Sequence, residues 1–118
     1  MGRAAALRDL ARSARHAPVG LTPEGVESSG RLVEPPAGNG LLLATLAHGG
    51  IPLIPVGICE DGSTLHVRFG PAFDLAVPHG IPRDEQDRQA RERVMLSIGR
   101  LLPREYRGAY EKLLDDGA

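Results

Sequence analysis

Prolines and glycines limit the regular elements of this chain to short segments. The 118 residues include ten prolines and fifteen glycines, many of them between apolar segments. Proline ends a helix and cannot donate a hydrogen bond within a sheet, and glycine is the usual residue just past a helix end. We therefore expect one domain over residues 1–118, built from short elements but large enough to bury a hydrophobic core.

The spacing of apolar residues predicts three main helices. Over residues 3–15, leucine and alanine recur at intervals of three and four, and Pro18 follows. The segment 39–47 is apolar and ends at a glycine pair, which is a strong helix stop. A third helix opens at 84–85 and is broken by Pro103, and a short final helix follows.

Three segments have the character of strands. Residues 19–22 are a short strand candidate, and residues 51–59 form a largely apolar segment typical of a buried strand. An Asp-Gly turn at 60–63 leads into residues 64–69, where Leu65, Val67 and Phe69 alternate with polar side chains. This alternation predicts a half-buried antiparallel strand, and the order of elements predicts an α/β layer architecture.

Charge and cysteine content exclude several function classes. The formal net charge of −1 gives no electrostatic case for nucleic-acid binding. Cys59 is the only cysteine and the four histidines are scattered, so neither a disulfide nor a metal site is expected. We expect a cytoplasmic protein. The unbroken apolar runs are too short to span a bilayer, so any membrane contact would be peripheral, at the inner face.

Five short motifs, taken in order, resemble a known family. They are "PEG..S.GRL", an apolar helix ending in glycine, "GIPLIPVGI", "LHVRFGPAFDL" and "IGRLLPREYRGAY". Their order is similar to that in the glycerolipid acyltransferases, the 1-acyl-glycerol-3-phosphate acyltransferase family. The resemblance runs from about residue 19 to residue 110 and corresponds to the C-terminal half of that domain.

The resemblance implies a fold, an activity and a set of site residues. The fold would be a partial acyltransferase-type sheet with a β-hairpin and flanking helices. The complete domain would transfer an acyl group from acyl-CoA or acyl carrier protein to a glycerolipid hydroxyl, with no metal or tightly held cofactor. By resemblance, the residues near the acceptor would be Pro23, Glu24, Gly25, Ser28, Arg31 and Pro55. The turn 23–25 would then end a strand running beside 53–58, with a pocket between them.

Two departures bear on activity. Glu27 stands where the family has arginine, and a carboxylate there would repel an acceptor phosphate. The family's base is a histidine followed five positions later by aspartate, placed before the Pro-Glu-Gly block. Five positions after His16, the only upstream histidine, stands Leu21. His79 and Asp84 match formally, but chance alone gives about 0.24 such matches in a chain of this composition.

The catalytic role is therefore left open, and His79 and Asp84 are more simply a loop residue and a helix N-cap. One hypothesis is an acyltransferase fragment that is inactive alone. The alternative is a non-catalytic binding or self-association module derived from that fold. In either case a homo-oligomer or a partner chain is expected to cover an open sheet edge and apolar face.

The remaining polar residues have simple structural interpretations. His48 would lie at a helix C-terminus, His66 at the surface, and Cys59 would be a small buried hydrophobe. Seven arginines between 83 and 107 alternate with carboxylates, which predicts a solvated charged face. The carboxylates are Asp84, Glu85, Asp87, Glu92 and Glu105.

Overall fold

The computed structural model describes residues 3–25 and 30–117 as a mixture of helices and one small sheet. Within these ranges, the structure has four α-helices and a two-stranded antiparallel sheet, which is a small α/β arrangement. The elements are α1 (Arg3–His16), α2 (Asn39–His48), β1 (Val56–Asp61), β2 (Thr64–Phe69), α3 (Arg83–Gly99) and α4 (Glu111–Asp115). Two 3₁₀ turns, Arg104–Tyr106 and Gly108–Tyr110, lie between α3 and α4.

The helices and the hairpin confirm the periodicity in the sequence, but the predicted strand at 19–22 is wrong. These residues are exposed and have no strand assignment, and β1 pairs only with β2 in the described sheet. Val19 and Leu21 point into solvent instead of meeting a neighbouring strand. A strand requires a neighbouring strand to satisfy its backbone groups, and the described sheet, which consists of β1 and β2, does not extend to this segment.

The strand predicted at 51–59 is displaced toward the C-terminus. Its ladder begins at Val56, directly after Pro55, and before it only Leu53 forms an isolated bridge, with Phe73. Prolines in residues 51–55 lack the N–H that a ladder requires. At the other end, β1 continues through Asp61. The two-residue turn is therefore Gly62-Ser63, and Gly62 has φ +62° as a type II′ turn requires.

The hydrophobic core lies mainly between α2 and α3. Gly40 of α2 is buried against α3, and a Cβ atom there would overlap the α3 backbone at Asp87 and Arg91. The two helices can approach this closely because the contact lacks a side chain. The buried apolar residues are Leu43, Ala44 and Leu46 of α2, Ala90, Val94 and Met95 of α3, and Leu32, Leu75, Leu102 and Tyr110 from other segments.

A buried carboxylate on α3 caps the N-terminus of α2. The two oxygens of Asp87 accept hydrogen bonds from the N–H groups of Gly38 and Leu41, each at 2.9 Å. Helix α2 has no side-chain cap of its own, and Gly38 precedes it in the left-handed conformation. Asp87 thus satisfies amides that would otherwise lack partners, and it ties α2 to α3.

Asp87 is therefore not part of a solvated face, which corrects the expectation from the sequence. Burial by itself would raise the pKa of Asp87, but the two backbone donors and the nearby Arg91 outweigh it and the pKa is lowered. Arg91 forms an ion pair with Asp87, with 2.9 Å between Nε and Oδ2, but the geometry is not that of a hydrogen bond. The hydrogen bonds of Arg91 go to the Glu34 carboxylate and to the Pro35 carbonyl.

We predict that Asp87→Asn lowers the free energy of unfolding by about 2–3 kcal/mol at pH 7, because a charged acceptor is lost from buried donors. A carboxylate whose folded-state pKa is lowered stabilises the fold fully above its unfolded pKa of about 3.9, and this contribution fades as pH falls through the folded value. The difference in the free energy of unfolding between wild type and variant should thus become smaller from pH 7 to pH 3. Urea unfolding followed by circular dichroism measures it.

Asp84→Asn is the matched control, since Asp84 is an exposed carboxylate near the start of the same helix. Its effect should stay within about 1 kcal/mol. An Asp87→Asn effect no larger than the control, or one that grows toward pH 3, would contradict the capping role.

Candidate functional site: the open face of the hairpin

The hairpin has two chemically different faces. Cross-strand partners share a face, so Val56–Phe69, Ile58–Val67 and Glu60–Leu65 form one side. We call this side, together with the exposed Ile54 two residues before it, the outer face. The inner face consists of Gly57, Cys59, Asp61, Thr64, His66 and Arg68.

Apart from Glu60 the outer face is apolar, and all of it except the half-buried Val56 is open to solvent. Exposed fractions are 72% for Phe69, 60% for Leu65, 56% for Ile58 and 45% for Val67. The prediction of a half-buried β2 is therefore wrong, because every residue of β2 is exposed. A hairpin of this kind usually buries its apolar side, and here the polar side faces the rest of the molecule.

A glycine accounts for this orientation. Gly57 is buried on the inner face, and a Cβ atom there would lie 2.7 Å from the Cβ of Leu101. The β1 backbone can therefore rest directly on the segment that follows α3. Tyr106 secures the same region by donating its hydroxyl hydrogen to the Glu60 carbonyl at 2.6 Å. Because side chains alternate between faces, docking Gly57 inward turns its neighbours Val56 and Ile58 outward.

A cavity of about 230 Å³ lies between the inner face and the segment 101–106. Cys59 and His66 are direct cross-strand partners and both line it. The other lining residues are Gly57, Asp61, Arg68, Leu101, Pro103, Glu105 and Tyr106. Among the side chains described, no hydrogen bond joins the thiol, the imidazole and a carboxylate, so the cavity holds no assembled nucleophile and base. Cys59 is half-buried, whereas the sequence predicted a buried side chain.

The Pro-Glu-Gly segment is a β-turn fixed to α2. The N–H of Gly25 donates to the Thr22 carbonyl at 3.1 Å, and Pro23 stands at the second position, as in a type I turn. Asn39, the first residue of α2, donates its side-chain amide to the Pro23 carbonyl at 2.8 Å. Glu24 is half-buried beside it. The turn therefore has a clear structural role at the start of α2.

Among the described hydrogen bonds, none joins this turn to Pro55 or Arg31, two of the other residues predicted at the acceptor site. Pro55 is buried elsewhere, where its carbonyl accepts a hydrogen bond from the N–H of Gly70. Arg31 is exposed, and Ser28 lies outside the described residues. A Cβ atom at Gly25 would lie nearest to Pro36 and Asn39, and in the described part of the chain residues 23–25 form a turn and no strand beside 53–58.

The formal histidine–aspartate match is not assembled either. His79 and Asp84 are both exposed, and the described side-chain hydrogen bonds include none between them. Asp84 is the second residue of α3 and not its N-cap, which is Pro82. His48 ends α2 and His66 is exposed, as predicted. In the chain as described, His, Cys, Asp and Glu form no cluster of three or more suited to a metal.

Comparison of the chain with protein-family models, with curated proteins and with solved structures finds no match in any of the three. None of the helices in the described ranges has both the length and the apolar character needed to cross a membrane. The outer face of the hairpin is thus the feature of the described surface that most needs a functional explanation.

We predict that Phe69→Ala changes the free energy of unfolding by no more than about 1 kcal/mol in dilute protein, since only cross-strand contact is lost. Met95→Ala is the comparison, because Met95 is fully buried and its truncation should cost about 2–5 kcal/mol. Urea unfolding at micromolar concentration measures both. Equal losses for the two variants would mean that the outer face is packed inside the protomer.

Proposed function

We propose that this chain is a non-catalytic association module that binds another polypeptide surface through the outer face of its hairpin. The observation that carries the proposal is the outward apolar side of β1 and β2, from Ile58 to Phe69. Burial of exposed apolar side chains is favourable in water, and a contiguous group of them typically marks a protein interface.

The form of the hairpin also supports association. A two-stranded sheet is marginally stable unless a helix, a further strand or another sheet covers it. Here one face rests on the segment around Leu101, and the other has no cover in the described part of the protomer. A docked polypeptide would supply the missing layer and bury apolar area on both sides.

The alternative hypothesis, acyl transfer, finds less support in this geometry. It called for the 23–25 turn to share a pocket with 53–58, and the turn instead contacts α2 through Asn39. The cavity under the hairpin lacks a histidine hydrogen-bonded to a carboxylate among the described residues. Acyl transfer by a complete domain stays a prediction of the resemblance.

A hydrophobic dye tests whether the outer face is available for binding. Dilute protein should enhance the fluorescence of 8-anilinonaphthalene-1-sulfonate, and Phe69→Glu should reduce that signal several-fold. Leu21→Glu is the matched control, since Leu21 is a 48% exposed apolar residue outside the hairpin. Circular dichroism verifies that both variants fold. A dye signal that is unchanged in Phe69→Glu would contradict the proposed binding face.

An activity assay separates the module from an enzyme. We expect no acyl transfer from a long-chain acyl-CoA to lysophosphatidate, because no base is assembled at His79 and Asp84. The wild-type chain and His79→Ala should both remain at the uncatalysed rate in a radiolabelled product assay. Turnover that disappears in His79→Ala would favour the enzyme over the association module.

A further inference from the structure

We infer that the occupant of the outer face is a second copy of this chain, packed face to face about a two-fold axis. This inference rests on the proposed association function and names its partner. It also specifies which residues of the two copies meet.

The exposed apolar area is close to what a dimer requires. If about 150–200 Å² is taken for each large side chain, the low end of the aromatic range, the exposed fractions of the five exposed apolar residues of the outer face leave on the order of 500 Å² open. These residues are Ile54, Ile58, Leu65, Val67 and Phe69. A standard interface buries about 800 Å² per protomer. About 65% of a homodimer interface is apolar, which corresponds to roughly 500 Å².

The charges on this surface permit self-association. Within the outer face only Glu60 is charged, and it lies at the turn end of the hairpin. The formal net charge of the chain is −1, so two copies approach without strong overall repulsion. An apolar patch with a single peripheral charge is self-complementary, as the isologous interface of a two-fold dimer must be.

Glu60 also indicates the direction of the axis. An axis along the strands would place both Glu60 carboxylates at the same end of the interface. An axis across the strands, through the Ile58–Val67 pair, places them at opposite ends, about 13 Å apart along the strand direction. That separation exceeds the Debye length of about 8 Å at physiological ionic strength, so repulsion is screened.

The crossed axis predicts specific contacts. Rotation about it brings β2 over β2 of the second copy, with Val67 facing Val67 at the centre. Leu65 of one copy then lies over Phe69 of the other, since the two are equally far from Val67 along the strand. The sheets would pack about 10 Å apart, as in a sandwich.

Charge complementation at Val67 tests this arrangement. Sedimentation equilibrium of the full chain should show a monomer–dimer equilibrium for the wild type. Val67→Glu and Val67→Lys, each alone, should weaken dimerisation by about 100-fold or more, because like charges would meet at the axis. An equimolar mixture of the two variants should recover dimers. Leu21→Glu is the control and should dimerise like the wild type, and circular dichroism verifies folding.

Several outcomes would overturn the inference, and they separate it from the proposed function. If the wild type stays monomeric to millimolar concentration and yet binds dye through Phe69, the occupant of the outer face is not a second copy. Another polypeptide would then be the occupant. A monomer that instead binds phosphatidylcholine vesicles through Phe69 would indicate a lipid surface. A dimer unaffected by either Val67 variant would place the interface elsewhere. A monomer without Phe69-dependent dye binding would overturn both proposals.

Discussion

The contact between Gly57 and Leu101 decides how the hairpin presents its side chains. Residues in a strand alternate strictly between two faces, so the docking of one inner residue determines the orientation of all the others. Gly57 has no side chain to hold the backbone away from Leu101, and the inner face can therefore lie directly on the segment after α3. The apolar outer face is the consequence. The association proposal depends on this arrangement more than on any single exposed residue.

A second constraint fixes the helical part of the molecule. Asp87 satisfies two amides at the start of α2 and lies where Gly40 brings that helix against α3. The same end of α2 holds the Pro-Glu-Gly turn through Asn39. The Pro-Glu-Gly turn, the first of the motifs that resemble acyltransferases, thus contributes to the packing of α2, while the feature that suggests binding lies on the hairpin.

Local patterns in the sequence were sufficient to predict the helices and the hairpin. Apolar spacing predicts α1, α2 and α3 because helical periodicity is a local pattern within each segment, and the Asp-Gly segment with the alternation after it predicts the hairpin. Alternation distinguishes two faces but does not show which one is buried, so the orientation of Leu65 and Phe69 could not be predicted this way. Gly57 was an available signal, since a glycine inside a strand often marks close backbone approach.

The prediction of a strand at 19–22 was wrong because strand formation requires a neighbouring strand, which the local sequence does not reveal. Asp87 was missed among the charges of α3, although it lies three residues before Ala90 on the buried side.

The central claim is that the outer faces of two copies cover each other, and an isotope-filtered nuclear Overhauser experiment tests it most directly. Protein with ¹³C-labelled leucine and valine methyl groups is mixed with unlabelled protein at a concentration where dimers are expected. We predict cross-peaks between the labelled Leu65 methyls and the ring protons of Phe69 on the unlabelled copy. Within one chain these residues are about 13 Å apart along β2, too far for such a signal. A dimeric sample that shows no cross-peak between Leu65 and Phe69 would contradict the account.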